Sequence, residues 1–495
     1  MSWSGPLSYP PPPPPPGFYL PPVPPRPPLN YQQPDQDFGP PPAPTGKVVA
    51  VFCWTLIWLL AIALLTLNTL GERRIKAKPA VVSATPSAEF AIAGKMAVDK
   101  AAKAAAADAS EKAVLTTESD NSLKAAGDVA KTPADRLAMV AVYYEARGKT
   151  VALDQLKKET PGLAATPALE ADAELLRTIY TKGPASVEPD DQEKLKKQLG
   201  WFGELAVTQN QNAPDWHRVE LLSQAGNVQT GLIVLGVGTA GVGMLGVIAL
   251  VFAIVLLATG ILRPTLVRPS PGGPPRMLVM FTIWFYGFVG NMILIELLIP
   301  KIPIVLHEFM ELVWTGVVVW LMSIRGTTWT QWRRTIGLHS GQGIPLEMAC
   351  GLGGYVAGLP LVFMAFLVTF ALIKISGAQP TSALDDDLIG KLTPLKIFGL
   401  WLTAGVMAPL IEELVFRGAL YGHLRRRWNA VISASVVGLI FAMIHPQGWT
   451  VIPVLATIGF VLAMLREWRG SLVASFTAHG VHNTAIVIIA VVMLH

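Results

Sequence analysis

Apolar residues along this chain fall in long uninterrupted runs rather than in amphipathic stripes. The runs lie at 48–70, 230–262, 277–299, 303–323, 346–374, 396–420, 429–446, 450–465 and 471–493. A bilayer core takes roughly twenty consecutive apolar residues in a helix, so the pattern predicts about nine transmembrane helices, two of them from short runs. Between the first and second runs the character changes. Residues 71–228 are Ala-rich and charged, and "PADRLAMVAVYYEARGK" and "PALEADAELLRTIYTKG" carry apolar residues at helical spacing. Helix breaks are expected at Thr132-Pro133, Thr160-Pro161, Thr166-Pro167 and Gly183-Pro184. The expected fold is all-α: a polytopic helical membrane protein with an inserted extramembrane helical domain at 71–228. Residues 1–46 ("SYPPPPPPPGFYLPPVPPRPPLNYQQP") are a proline-rich, disordered tail that can hold polyproline II but cannot bury a core.

Composition agrees with a membrane protein. Of the 495 residues 52% are hydrophobic and 15% charged, against about 25% charged in soluble domains. The net charge of +5 comes with no basic stripe interleaved with aromatics, so nucleic acid is not an expected partner. The arginines cluster instead in short loops: Arg263, Arg268 and Arg276; Arg325, Arg333 and Arg334; Arg425, Arg426 and Arg427; Arg466 and Arg469. These alternate with weakly charged or acidic connections such as "SALDDDLIG". The positive-inside rule puts the arginine loops and the tail in the cytoplasm and residues 71–228 outside, although "GERRIKAK" after the first run pulls the other way. A cleaved signal peptide is not expected, because the region before the first run is long and proline-rich. Cys53 and Cys350 both lie in apolar runs and form no CxxC or zinc pattern.

Two short patterns look like motifs. "GVGTAG" at 236–241 matches GxGxxG but lies inside a membrane run, with Gly243 and Gly246 beyond it. The expected use is close helix packing through small residues, as for "CGLGGYVAG" at 350–358. "LHEFMELV" puts His307 and Glu311 four residues apart beside Glu308, but it lacks the second histidine of a zinc helix. Neither a metal nor a cofactor is expected.

The chemistry concentrates in three later runs. "PLIEELVFRGAL" holds Glu412, Glu413 and Arg417 in an apolar segment; "GLIFAMIHPQG" ends with His445; "SFTAHGVHNTAIV" carries His479, His482 and Asn483. An ionisable group inside a span costs about 2.5–3.5 kcal/mol on insertion scales and usually faces the bundle interior. Glu413 and Arg417 are four residues apart and can pair on one face, while Glu412 points about 100° away. At about 1.5 Å per residue, Glu412, His445, His479 and Asn483 reach one layer within the bilayer. A carboxylate and a histidine there can take a proton from water, and a histidine and an asparagine can stabilise an oxyanion. A polar clamp between helices and a proton or ion relay of a transporter remain open on these grounds.

In order and spacing, "EELVFRG", "FAMIH" and "HGVHN" resemble the three motifs of the CAAX protease and bacteriocin-processing family. This is also called the ABI family and includes the Ras-converting CAAX endoproteases. The resemblance implies a protease core over 277–495, preceded by transmembrane helices at 48–70 and 230–262, and a metal-independent intramembrane endopeptidase of the glutamate type. Glu412 would activate water with help from His445, His479 and Asn483 would hold the oxyanion, and Glu413 and Arg417 would support the site. The implied partners are membrane lipids and a peptide or protein substrate, a lipidated one included. The implied location is a bacterial inner membrane with a cytoplasmic N-terminus. A non-enzymatic scaffold of the same family is the alternative.

Overall fold

The computed structural model describes residues 44–77, 85–163, 166–209, 216–266, 275–298, 302–324, 328–378 and 393–494. The proline-rich tail, Arg268, Arg325 and "SALDDDLIG" lie outside the described residues, as do the side chains of "GERRIKAK". Among the described residues all regular structure is helical. The membrane part consists of α1 (Pro44–Ala77) and, after the inserted domain α2–α8, of α9 (Trp216–Ala258), α10 (Arg276–Leu298), α11 (Ile304–Ser323), the short α12 (Trp329–Ile336) and α13 (Ile344–Ser376). It continues through α14 (Pro394–Leu424), α15 (Ala430–Met443), α16 (Ile452–Arg469) and α17 (Leu472–Leu494).

Eight of these helices are long and apolar enough to cross a bilayer, and the ninth apolar run forms only the short α15. Its 14 residues span about 21 Å at 1.5 Å per residue, against a hydrocarbon core of about 30 Å. The helix therefore stops inside the bundle. Pro446 follows two residues beyond its C-cap, which biases the chain out of helix, and α16 returns alongside.

Glycine sets how closely α15 and α16 approach. A Cβ on Gly438 would stand 2.4 Å from the Ala456 carbonyl oxygen, and one on Gly459 would stand 2.7 Å from Gly438 Cα. Backbone meets backbone at this crossing. "CGLGGYVAG" works the same way: Gly351, Gly354 and Gly358 lie against Ala474, Leu465 and Val461. "GVGTAG" does not. Gly236, Gly238, Gly241 and Gly243 have no described atom near a Cβ position, and only Gly246 packs, on Val356 and Pro360 of α13. The small-residue stripe outruns the helix that covers it.

The arginine loops gather at one end of the bundle, where Arg425, Arg466 and Arg469 fix helix ends. Arg425 grips Glu467 with two hydrogen bonds, Nε to Oε2 at 2.8 Å and Nη2 to Oε1 at 2.7 Å, while Tyr421 donates to the same carboxylate at 2.9 Å. Arg469 pairs with Glu347 at 2.7 Å. Arg466 donates to the Gly470 and Thr335 carbonyls, and the Thr265 and Leu266 amides donate to Trp468 and Glu467, both at 3.1 Å. These bonds tie α12, α13, α14, α16 and the loop after α9 together at the end from which α15 and α17 start.

The inserted domain comprises α2 (Ala88–Ala106), α3 (Lys112–Val129), α4 (Pro133–Arg147), α5 (Lys149–Leu163), α6 (Pro167–Lys182), α7 (Pro189–Leu199) and α8 (Trp201–Val207). Phe90, Leu137, Leu156, Leu176, Phe202 and Leu205 are among the side chains of its own core. The expected breaks appear at three of four places. Thr132 and Asp135 form a reciprocal capping box, Thr166-Pro167 starts α6, and Gly183-Pro184 separates α6 from a 3₁₀ turn. Thr160-Pro161 is not a break: α5 runs on to Leu163, and Thr160 bonds back to the Leu156 carbonyl at 2.7 Å. Arg218 at the start of α9 holds Glu145 of α4 at 2.8 and 2.7 Å, fastening the domain to its return helix.

Asp172 of α6 is buried with Oδ2 unpartnered, and burial pushes its carboxyl up to about 6 from 3.8. The folded domain keeps this proton to a higher pH than the unfolded chain does. Its stability therefore falls as pH rises from about 4 to about 6 and levels off above. Asp172→Asn is expected to abolish that fall and to stabilise the domain at pH 7 by roughly 2 kcal/mol. Amide hydrogen exchange along α6 in the full chain measures this; a pH dependence that persists in the variant contradicts it.

Candidate active site

Helix α14 is irregular for a local reason. Its segments Leu402–Met407 and Glu413–Leu420 are π-helical, a form that is rare and frequent at functional sites. In the first segment the Ala408 amide bonds to the Thr403 carbonyl five residues back. The next carbonyl, on Ala404, would look to residue 409, which is proline and has no N–H. That carbonyl is taken instead by Asn483 Nδ2 of α17 at 2.8 Å. Gly480 allows this approach, since a Cβ there would stand 2.8 Å from the Gly405 carbonyl oxygen.

The second π segment carries the charges. Arg417 Nη1 donates to Glu413 Oε1 at 2.8 Å with both side chains essentially unexposed, and its Nη2 donates to the Gly459 carbonyl of α16 at 3.2 Å. The Gly438–Gly459 crossing thus brings a backbone acceptor to the guanidinium. The arginine also stacks 4.7 Å from the centre of the Phe441 ring of α15, a cation–π contact strengthened by the burial of both side chains.

His479 joins the two glutamates. Its Nδ1 lies 3.0 Å from Glu413 Oε1 and its Nε2 lies 3.5 Å from Glu412 Oε2. A carboxylate only accepts, so Nδ1 carries a proton, and Glu412 and Nε2 face each other across the remaining gap. The two glutamates differ in access: Glu412 exposes 21% of its side chain and Glu413 1%. Among the described residues Glu412 accepts no hydrogen bond, and its Oε2 is buried without one.

His445 stands at the blunt end of α15. Its Nδ1 lies 2.6 Å from the Phe441 carbonyl, which can only accept, so Nδ1 carries a proton and Nε2 of the neutral ring is the acceptor. Its ring lies 4.5 Å from Phe441, which in turn lies 6.0 Å from His479. Phe441 is the apolar wall against which Arg417, His445 and His479 are all set. Of the six candidates, Glu412, Glu413, Arg417 and His479 are in direct contact. His445 and Asn483 are anchored nearby on backbone carbonyls and make no hydrogen bond to Glu412 among the described residues. His482 turns to α13, with Nδ1 3.0 Å from the Tyr355 hydroxyl.

Other residues join this environment without any sequence signal strong enough to rank them. Glu308 of α11 lies close enough to Glu412 to feel its charge. Glu311, fully buried, accepts from Asn291 of α10 at 2.8 Å. The Gly459 carbonyl was invisible as well, since nothing in a sequence marks which backbone acceptor a guanidinium will reach.

Residues 394–485, which contain all six candidates, match the family model described as Type II CAAX prenyl endopeptidase Rce1-like. This stretch is a domain of the CAAX protease family. It is shorter than the 277–495 core expected above. Curated relatives include the membrane-embedded CAAX protease MroQ of Staphylococcus aureus, 29% identical over 138 residues, which cover 26% of this chain and 55% of MroQ. Another is the uncharacterized protein YpbD of Bacillus subtilis, 30% identical over 128 residues, which cover 24% of this chain and 60% of YpbD. The chain thus spans less than two thirds of either relative. No solved structure matches it.

The glycine crossing within the CAAX protease domain is open to test. Gly438→Ala puts a methyl against backbone and is expected to cost about 1–3 kcal/mol, read as lowered thermal stability in detergent. Gly290→Ala is the control: Gly290 is helical with open space at its Cβ position, so alanine should be neutral or better there. Equal effects at the two positions would contradict the close crossing.

Proposed function

We propose that the protein is an intramembrane endopeptidase that hydrolyses a peptide bond at or near the membrane with water activated by Glu412. The observation that carries the reading is the unequal treatment of adjacent glutamates. Glu413 is held by Arg417 and His479, whereas among the described residues Glu412 accepts no hydrogen bond and is partly open. Charge is neutralised on one and left available on the other.

The reaction follows from the donor and acceptor sets. A water molecule gives a proton to Glu412, with the free Nε2 of His445 as the second acceptor that orients it. The hydroxide oxygen bonds to the scissile carbonyl carbon, and the carbonyl electrons move onto oxygen. The second N–H of Asn483, and the Nε2–H that His479 carries when doubly protonated, are the donors available to that oxyanion. Collapse breaks the C–N bond, and the proton on Glu412 passes to the leaving amine. No cofactor enters these steps. The substrate is a peptide segment with access to the bilayer, and the protein works as an integral membrane enzyme with residues 71–228 on the outer face.

Glu412→Gln and His445→Ala are expected to lower cleavage of a membrane peptide by about 10²–10⁴-fold with thermal stability unchanged. A chelator should leave the wild-type rate intact. Full activity in both variants, or a chelator loss restored by zinc, overturns the proposal.

A further inference from the structure

Helix α1 lies far upstream of the matched stretch, yet one of its side chains reaches the site. Its buried face runs through Cys53, Ile57 and Ala61 at four-residue spacing and continues through the partly buried Leu64 and Leu65. These residues join the same core as Phe281 and Phe441, and Tyr286 of α10 donates to the Leu56 carbonyl at 3.2 Å. Asn68 is next on that face. Its Nδ2 donates to the His445 carbonyl at 3.2 Å. An amide in an apolar helix is costly unless it is bonded, so its place on this stripe needs a reason.

The far end of the bond supplies one. The last carbonyls of a helix have no intrahelical partner, and α15 ends inside the bundle, where water does not fill the role freely. The Ile440 and Ala442 carbonyls accept from the Ile444 and His445 amides, both at 3.3 Å. The Phe441 carbonyl takes the His445 ring. The His445 carbonyl precedes a proline and depends on Asn68.

We infer that Asn68 is a positioning residue for His445, through which the N-terminal helix completes a site otherwise contained in residues 394–485. It touches no reacting atom. By fixing the His445 carbonyl it fixes the backbone from which the ring is hung, and so the direction of Nε2. The kinetic consequence rests on the protease reading; the contact itself does not.

The test uses the full chain and Asn68→Leu, which is similar in size and suits an apolar helix but donates nothing. His–Pro occurs once in the sequence, at His445-Pro446. Protein labelled with ¹³C-carbonyl histidine and ¹⁵N-proline therefore gives one signal for this carbonyl. Asn68→Leu should shift it, and Thr66→Ala, two residues away on the exposed side, should not. With a cleavable peptide, kcat should fall about ten- to a hundredfold, the scale of a small misplacement, with KM and thermal stability unchanged. An unshifted carbonyl, or a kcat within twofold of wild type, overturns the inference. If wild type cleaves nothing, the protease reading fails, and the carbonyl signal still decides the contact.

Discussion

The arrangement depends on one ion pair placed where ions are expensive. Arg417 and Glu413 are both withdrawn from solvent, and bringing two charges out of water costs more than their attraction returns unless further hydrogen bonds complete them. The completion comes from three other helices. α16 offers the Gly459 carbonyl, α17 offers His479, and α15 offers the face of Phe441. Each partner carries its own requirement. Gly459 must lack a side chain to cross Gly438, α15 must stop short, and α17 must approach α14 closely at Gly480. A helix bundle assembled to satisfy one guanidinium has thereby assembled a site.

The same logic separates the two glutamates. Covalent neighbours on one helix would ordinarily share an environment. Here the i,i+4 pairing commits Glu413 to Arg417, and helical rotation leaves Glu412 toward the opening. His479 links them with one nitrogen on each side, so the fixed carboxylate orients the ring that faces the free one. Ala404 is a parallel case in which a missing proline N–H frees the carbonyl that holds Asn483. In both, a departure from regular helix geometry supplies a polar anchor inside an apolar medium.

Much of this was legible in the chain itself. Polar and ionisable residues are so costly in apolar runs that Glu412, Glu413, Arg417, His445, His479 and Asn483 draw notice together, as do Glu308 and Glu311, and the Glu413–Arg417 pair follows from spacing. The shortness of α15 was less legible, because an apolar run does not announce where it turns. Small-residue stripes gave a mixed return: 350–358 packs as expected, whereas 236–243 does not, since spacing identifies a surface but not its partner. Asn68 was passed over because one amide at the end of a long apolar run resembles an interfacial residue. Backbone acceptors such as Gly459 carry no sequence mark at all.

A double-variant cycle on Arg417 and Glu413 tests the central claim most directly. If the pair exists to neutralise itself within the bundle, Arg417→Met and Glu413→Gln each lose about 3–5 kcal/mol of stability by stranding the other charge. The combined variant then recovers a large part of that loss, which appears as a strong coupling energy in thermal unfolding. Additive losses in the double variant, or an Arg417→Met protein as stable as wild type, would contradict the account.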